Sequence, residues 1–235
     1  MTTCRGNGLG AERLERILKT RNIQGILVPP GLLPDYLGDF NWDQFALVHL
    51  GRSNSELPLH CVASDHVANT MLALDKLREK GYRRIGFAGN FWKPMHYGAG
   101  FLWGQAELPE KMRLPALLLK EQDGGKNIEK LNLWLKKNRP EAIITDLPNI
   151  KTMLEGCPGR GSSPIGLAAL TILDCQINAG IYQNPEEIGR VGVLLLMSLI
   201  YDNDRGIPAA SREVLIKGKW VDGSDLPDIA SSQAK

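Results

Sequence analysis

The sequence predicts an α/β protein with mostly parallel sheets, and three observations carry that expectation. Residues 65–89 read as an amphipathic helix, a glycine stop and an apolar strand in immediate succession. Short apolar runs such as Gly25-Ile26-Leu27-Val28, Ile85–Ala88 and Ala142–Thr145 lack polar alternation, as strands covered on both faces do. Helical and strand-like segments then alternate through most of the chain, the order that packs helices onto a parallel sheet.

A helix is expected over 9–21, with Leu14, Ile17 and Leu18 inward, then a strand at 25–28 stopped by Pro29-Pro30-Gly31. Phe45–Leu50 reads as a second buried strand, and 51–61 as an irregular polar connection. In the helix from Asp65, Val67, Met71 and Leu74, with Ala68 and Leu72 beside them, recur at helical spacing, and Gly81 supplies the positive φ that a helix end favours. After the strand through Ala88 come an aromatic loop, Phe91–Tyr97, and a helix over about 98–112. A strand at Pro115–Leu119, a helix at Ile128–Lys137 and a strand at Ala142–Thr145 follow. A short helix over 148–155 precedes a strand at Ile165–Leu170, and Gly180–Tyr182 begins a return. Pro185-Glu186-Glu187 suits the first turn of a helix running to about 203, because proline fits there and acids favour the positive end of the dipole. Val214–Lys217, Gly218 and Trp220-Val221 read as a hairpin.

Composition narrows the function. The chain has 235 residues, 43% hydrophobic and 23% charged, enough for a sizeable core. A formal net charge of +2 without a basic stripe argues against DNA binding by this segment alone. Lys136, Lys137 and Arg139 read as a solvated helix end. Cys4, Cys61, Cys157 and Cys175 have no metal or redox spacing, so reduced thiols and a cytoplasmic setting are expected, without a metal site or cofactor. No Gly-x-Gly-x-x-Gly, Walker A or Gly-x-Ser-x-Gly pattern appears, and Gly98-Ala99-Gly100 lacks a third glycine. No catalytic residue is expected. Neither an export signal nor an apolar membrane run is apparent.

Asp65 opening the helix and Gly81-Tyr82-Arg83-Arg84-Ile85-Gly86-Phe87 closing it resemble the effector-binding core of LacI/GalR-family transcriptional regulators. Three further segments fit in the same order: His49–Ser53 through Pro58 and His60 to Val62, then Ala179–Pro185, then Arg212–Gly223. The resemblance spans about 9–227. It implies a two-lobed, periplasmic-binding-protein-like (type I) fold, with parallel sheets flanked by helices and three crossings between lobes. Lobe one would be 1–63 with 183–206, lobe two 65–181 with 207–227, and 228–235 a tail. Val62, Asp65, Ile181, Gln183 and Gly206 fall at the crossings as hinge positions. Only one helix precedes Gly25, which leaves no room for the family's helix-turn-helix headpiece or its first strand and helix. A truncated gene, a misassigned start or a fragment is the expectation, with neighbouring sheet edges exposed.

Ligands of open α/β sheets bind beyond the carboxyl ends of the strands, and the resemblance puts them between lobes. Candidate ligand-binding residues are Trp42, His49, Asn90, Phe91, Trp92, His96, Asp146 and Gln183. Several have structural alternatives: Trp42 and Trp92 as core caps, Asp146 as a helix N-cap, His96 as a solvated loop residue, Gln183 as hinge support. The family's arginine before the Gly-Phe pair is missing at Gly100-Phe101, and Thr171 stands where an aspartate is common. Those departures imply an effector less polar than a typical sugar, or none.

The resemblance implies a small-molecule sensing and dimerising domain of a transcriptional regulator. Faces near the first helices and after Asp65 would pair in a homodimer, and operator DNA would be met only through an absent headpiece. A transport solute-binding protein and a non-functional remnant are the alternatives.

Overall fold

The computed structural model describes residues 10–31, 40–52, 58–90, 97–120, 124–158, 164–173 and 175–229. The chain divides into two compact units. The first runs to Ser64 and resumes over Asn184–Ile216; the second is Asp65–Gln183 and the chain from Lys217. Three peptide passages therefore join them, after Ser64, Gln183 and Ile216.

In the first unit, four parallel strands lie in the order β1-β2-β3-β9: Gly25–Val28, Ala46–Leu50, His60–Ser64 and Glu213–Ile216. Helix α1 (Ala11–Thr20) covers one face, where Val28, Phe45 and Leu47 meet Leu14 and Leu18. Helix α6 (Pro185–Tyr201) covers the other, where Ala46, Val48 and Val62 meet Leu195, Leu196 and Leu199. Neighbouring residues of β2 thus point to opposite cores, as the two-residue period of a strand demands. Asn184 caps α6 in the left-handed region, φ 55°, and Pro185 opens the helix where no amide is needed.

The second unit holds six strands in the order β10-β8-β7-β6-β4-β5: Lys219–Val221, Gly180–Tyr182, Gly166–Ala169, Ala142–Thr145, Ile85–Asn90 and Leu117–Leu119. All pairs are parallel except β10 with β8. Phe87, Ile144 and Ala168 face α2 (His66–Glu79) and α3 (Ala99–Ala106), where Leu74, Leu77 and Phe101 fill the core. Ala88, Ile143 and Leu167 face α4 (Gly124–Asn138) and α5 (Ile150–Glu155).

Helix α2 has both expected ends. The Asp65 carboxylate accepts the Ala68 amide at 3.0 Å. Gly81 takes φ +94°, and the amides of Gly81 and Tyr82 bond back to Arg78 and Leu77, a Schellman stop.

Four sequence expectations are corrected. The tail is not a hairpin: β9 pairs with β3 and β10 with β8, in different sheets. Partners far away in sequence override the local turn signal. Segment 207–216 consequently belongs to the first unit, so the third passage lies after Ile216 and not near Gly206. Gly206 is instead a turn inside the first unit: its φ is +77°, its amide bonds the Phe45 carbonyl, and a Cβ would stand 2.8 Å from Asp43. Residues 60–64, assigned to connection and crossing, form β3. Finally, α3 stops at Ala106, because the residue before Pro109 resists helical geometry and the chain restarts as a 3₁₀ turn at Glu110–Met112.

Candidate functional site

The carboxyl ends of parallel strands expose unpaired backbone groups and are where an open α/β sheet offers a ligand side chains from several strands. In the second unit these ends bring Asn90, Asp146 and Gln183 onto one rim of the sheet, after β4, β6 and β8. Phe91, Trp92 and His96 lie outside the described residues.

Gln183 is the best-fixed member. Its Nε2 donates to the Leu170 carbonyl at 2.8 Å and to the Tyr97 hydroxyl at 3.0 Å. Both amide hydrogens are then engaged, which fixes the direction of Oε1, an acceptor that suits a hydroxyl donor. Tyr97 is buried and lies edge-on to the buried His66 ring, with centroids 4.4 Å apart. Tyr97 and His66 were not singled out from the sequence. Their link to Gln183 spans 86 residues of chain between Tyr97 and Gln183, and no local pattern records it.

Asp146 does not cap a helix: α5 begins after Asn149. Instead its Oδ1 accepts the Asn90 backbone amide at 2.8 Å, bridging the ends of β6 and β4. Gly89 makes the approach feasible, since a Cβ there would stand 2.8 Å from Asp146 Oδ1 and 2.6 Å from the Phe87 ring. Asn90 and Asp146 thus stabilise each other at the carboxyl end of β4.

In the first unit the candidate residues divide differently. Trp42 is a core residue, buried against Phe40 at 4.5 Å between centroids, so the aromatic-wall role expected for it fails. His49 is buried in β2, and its ring N–H donates to the Pro29 carbonyl. Burial outweighs that bond and holds its pKa below the usual histidine value. His60, also buried, accepts the Arg212 amide at Nδ1 at 3.0 Å, which directs the Nε2 proton toward the Asp204 carboxylate 3.7 Å away. Burial and then the Arg212 charge lower its pKa, against the opposing pull of Asp204. The Cys61 thiol is pushed up to about 11 by burial and the Glu213 charge, so it is no nucleophile at neutral pH.

Among the hinge candidates, Asp65 and Gln183 flank passages between units, and Val62 and Ile181 are fully buried strand residues two or three positions before them. No cluster of three metal-ligating side chains occurs among the described residues, and no described helix is long and apolar enough to cross a membrane.

No protein-family model matches the chain, and no curated protein matches it in sequence. Solved structures do match its fold. A protein assigned to the LacI family of transcriptional regulators from Rhizobium etli aligns with a TM-score of 0.60 at 18% identity, over 94% of this chain and 85% of that one. A regulatory protein of the LacI family from Chloroflexus aggregans aligns at 0.59 and 19% identity, over 91% and 80%. A LacI-family transcriptional regulator from Enterococcus faecium, solved with bound ribose, aligns at 0.57 and 14% identity, over 90% and 83%. The chain therefore has the two-unit α/β fold of LacI-type effector domains, the periplasmic-binding-protein-like architecture that the sequence motifs imply.

Proposed function

We propose that this chain is the small-molecule sensing and dimerising domain of a LacI-type transcriptional regulator, acting by binding and not by catalysis. The supporting observation is Gln183. It sits at a passage between units, and its amide is locked by Tyr97 and Leu170 at the carboxyl end of the sheet. A group held so rigidly loses little entropy on engaging a ligand, which favours affinity. The fold shared with a ribose-bound regulator points to a pentose or related polyol as the first effector class to test. The missing arginine before Gly100-Phe101 and Thr171 in place of an acid remove two charged contacts, which fits an effector less polar than a typical sugar.

Effector action would follow from differential affinity for two arrangements of the domain in a homodimer, with operator DNA reached through a separate headpiece. The cytoplasm is the setting for such a protein. The test is a thermal-shift panel of pentoses, hexoses, nucleosides and nucleobases. A saturable rise in midpoint for one class is expected. Silence across the panel from a folded, cooperatively melting protein would remove the reading.

A further inference from the structure

β9 carries the chain into the third passage between units, and the residue just before it is held by a contact that a proton can reverse. Arg212 is tied to β3 through both ends of its backbone. Its carbonyl accepts the Cys61 amide at 2.9 Å, and its amide donates to Nδ1 of His60 at 3.0 Å. The second tie uses an imidazole where a sheet ladder would use a carbonyl. A ring nitrogen accepts only while it lacks a proton, so this bond belongs to the neutral imidazole alone.

The other ring nitrogen faces a counter-charge it does not yet touch. His60 is 3% exposed, and its Nε2 has no hydrogen-bond partner among the described residues. Asp204 Oδ2 stands 3.7 Å away, beyond hydrogen-bond reach, and the Arg212 guanidinium holds that same oxygen at 3.0 Å. Asp204 and Arg212 are the charged groups that face the ring among the described residues. β2 sets Val48 beside His60, and α6 packs Leu199 against Val48 and Val62 on that face. Arg52 and Glu213 pair at 3.0 Å near Cys61, which points to the opposite face of the strand. His49 lies in register with Cys61 and takes that opposite face too.

We propose that His60 is a proton-operated clasp on the start of β9. In the neutral ring, Nδ1 holds the Arg212 amide and the Nε2 proton faces Asp204. Proton uptake at Nδ1 sets one N–H against another, breaks the tie and leaves the amide without its acceptor. The imidazolium is drawn to Asp204, where it competes with the Arg212 guanidinium for one carboxylate oxygen. Both holds on Arg212 weaken together, the amide bond and the ion pair. Segment 204–212 loosens, and with it the entry to the strand that ends at the third passage. The two neighbours act in opposite senses: Asp204 favours the charged ring and Arg212 opposes it.

Amide exchange and the ring nitrogen chemical shifts of His60, followed on the full chain from pH 7.5 to 4.5, test the clasp. Exchange at Arg212 and Glu213, normalised to the intrinsic rate at each pH, is expected to rise at least about tenfold as Nδ1 becomes protonated. His60→Gln, whose side-chain oxygen can accept the same bond without titrating, should abolish that rise. Asp204→Asn should move its midpoint to lower pH and Arg212→Gln to higher pH, each by about half a unit or more. Both positions are partly exposed, so these two variants decide the matter even where His60→Gln fails to fold. A ring that stays neutral to pH 4.5, or one whose neutral form carries its proton on Nδ1, would overturn the clasp. So would midpoints that do not separate in the two charge variants. Exchange rising equally at the buried β4 amides of the second unit would mean global unfolding and would overturn it as well.

Discussion

The two units solve the same packing problem at different sizes. The second covers both faces of a six-stranded sheet, and its central strands β4, β6 and β7 are buried almost throughout. The first covers both faces of four strands, but β1 at its edge keeps three of four residues half-buried, against a fully buried β3. The edge strands of both units, β1 as well as β5 and β10, stay partly exposed, so covering a sheet above and below protects its centre and not its edges. The second unit also fixes Gln183, through the Tyr97 hydroxyl and the Leu170 carbonyl.

That contrast can be broken most severely at Gly180. Its φ is +144°, and a Cβ would lie 2.1 Å from the Ala169 carbonyl oxygen across the β7–β8 pair. Gly180→Ala should destabilise the second unit by at least about 3 kcal/mol, measured by urea unfolding, because backbone cannot yield as a flexible side chain does. A matched pair of truncations sharpens the comparison. Ile144→Ala, in a fully buried strand, should cost about 3–4 kcal/mol; Ile26→Ala, on the half-buried edge, about 1–2 kcal/mol. Equal costs would mean that β1 is covered in solution.

Acid should act on the first unit. His49 and His60 both titrate below the ordinary histidine value, so each is neutral in the fold while the unfolded chain takes up protons. Their contribution is complete above about pH 6.5 and shrinks as pH falls through the unfolded pKa toward the lowered folded one. Hydrogen exchange at pH 7.5 and 5.5 should show faster opening of β2 and β3 at the lower pH, and His60→Gln should diminish the difference. The smallest effect is expected at Lys80, whose 2.7 Å ion pair with the exposed Asp222 is screened by water. Lys80→Met should change stability by less than about 0.5 kcal/mol, with no dependence on added salt beyond that.

Strands that are apolar on both faces were legible in the sequence, since Ile85–Ala88 and Ala142–Thr145 have no other solution in water. β3 was harder, because His60 and Ser64 put polar atoms into a buried strand whose satisfaction depends on distant groups such as the Arg212 amide. The false hairpin at 214–221 has the same origin: a local turn signal at Gly218 cannot report that each flank has a better partner elsewhere. Strand order placed Asn90, Asp146 and Gln183 at the carboxyl ends of strands in one sheet, where the structure also has them. It could not reveal the Tyr97–Gln183 bond or the Asp146–Asn90 bridge, which only the closed sheet creates. Trp42 misled because a large aromatic in a loop looks the same in sequence whether it lines a site or plugs a core.

Calorimetric titration of the sugar that most raises the melting midpoint, on the wild type and on Gln183→Leu, is the most direct measurement. Saturable one-to-one binding, weakened about tenfold or more in a variant that keeps its fold, is the predicted result. Unchanged affinity in Gln183→Leu, or no heat from any sugar or nucleobase at millimolar concentration, would contradict a sensing site built on that residue.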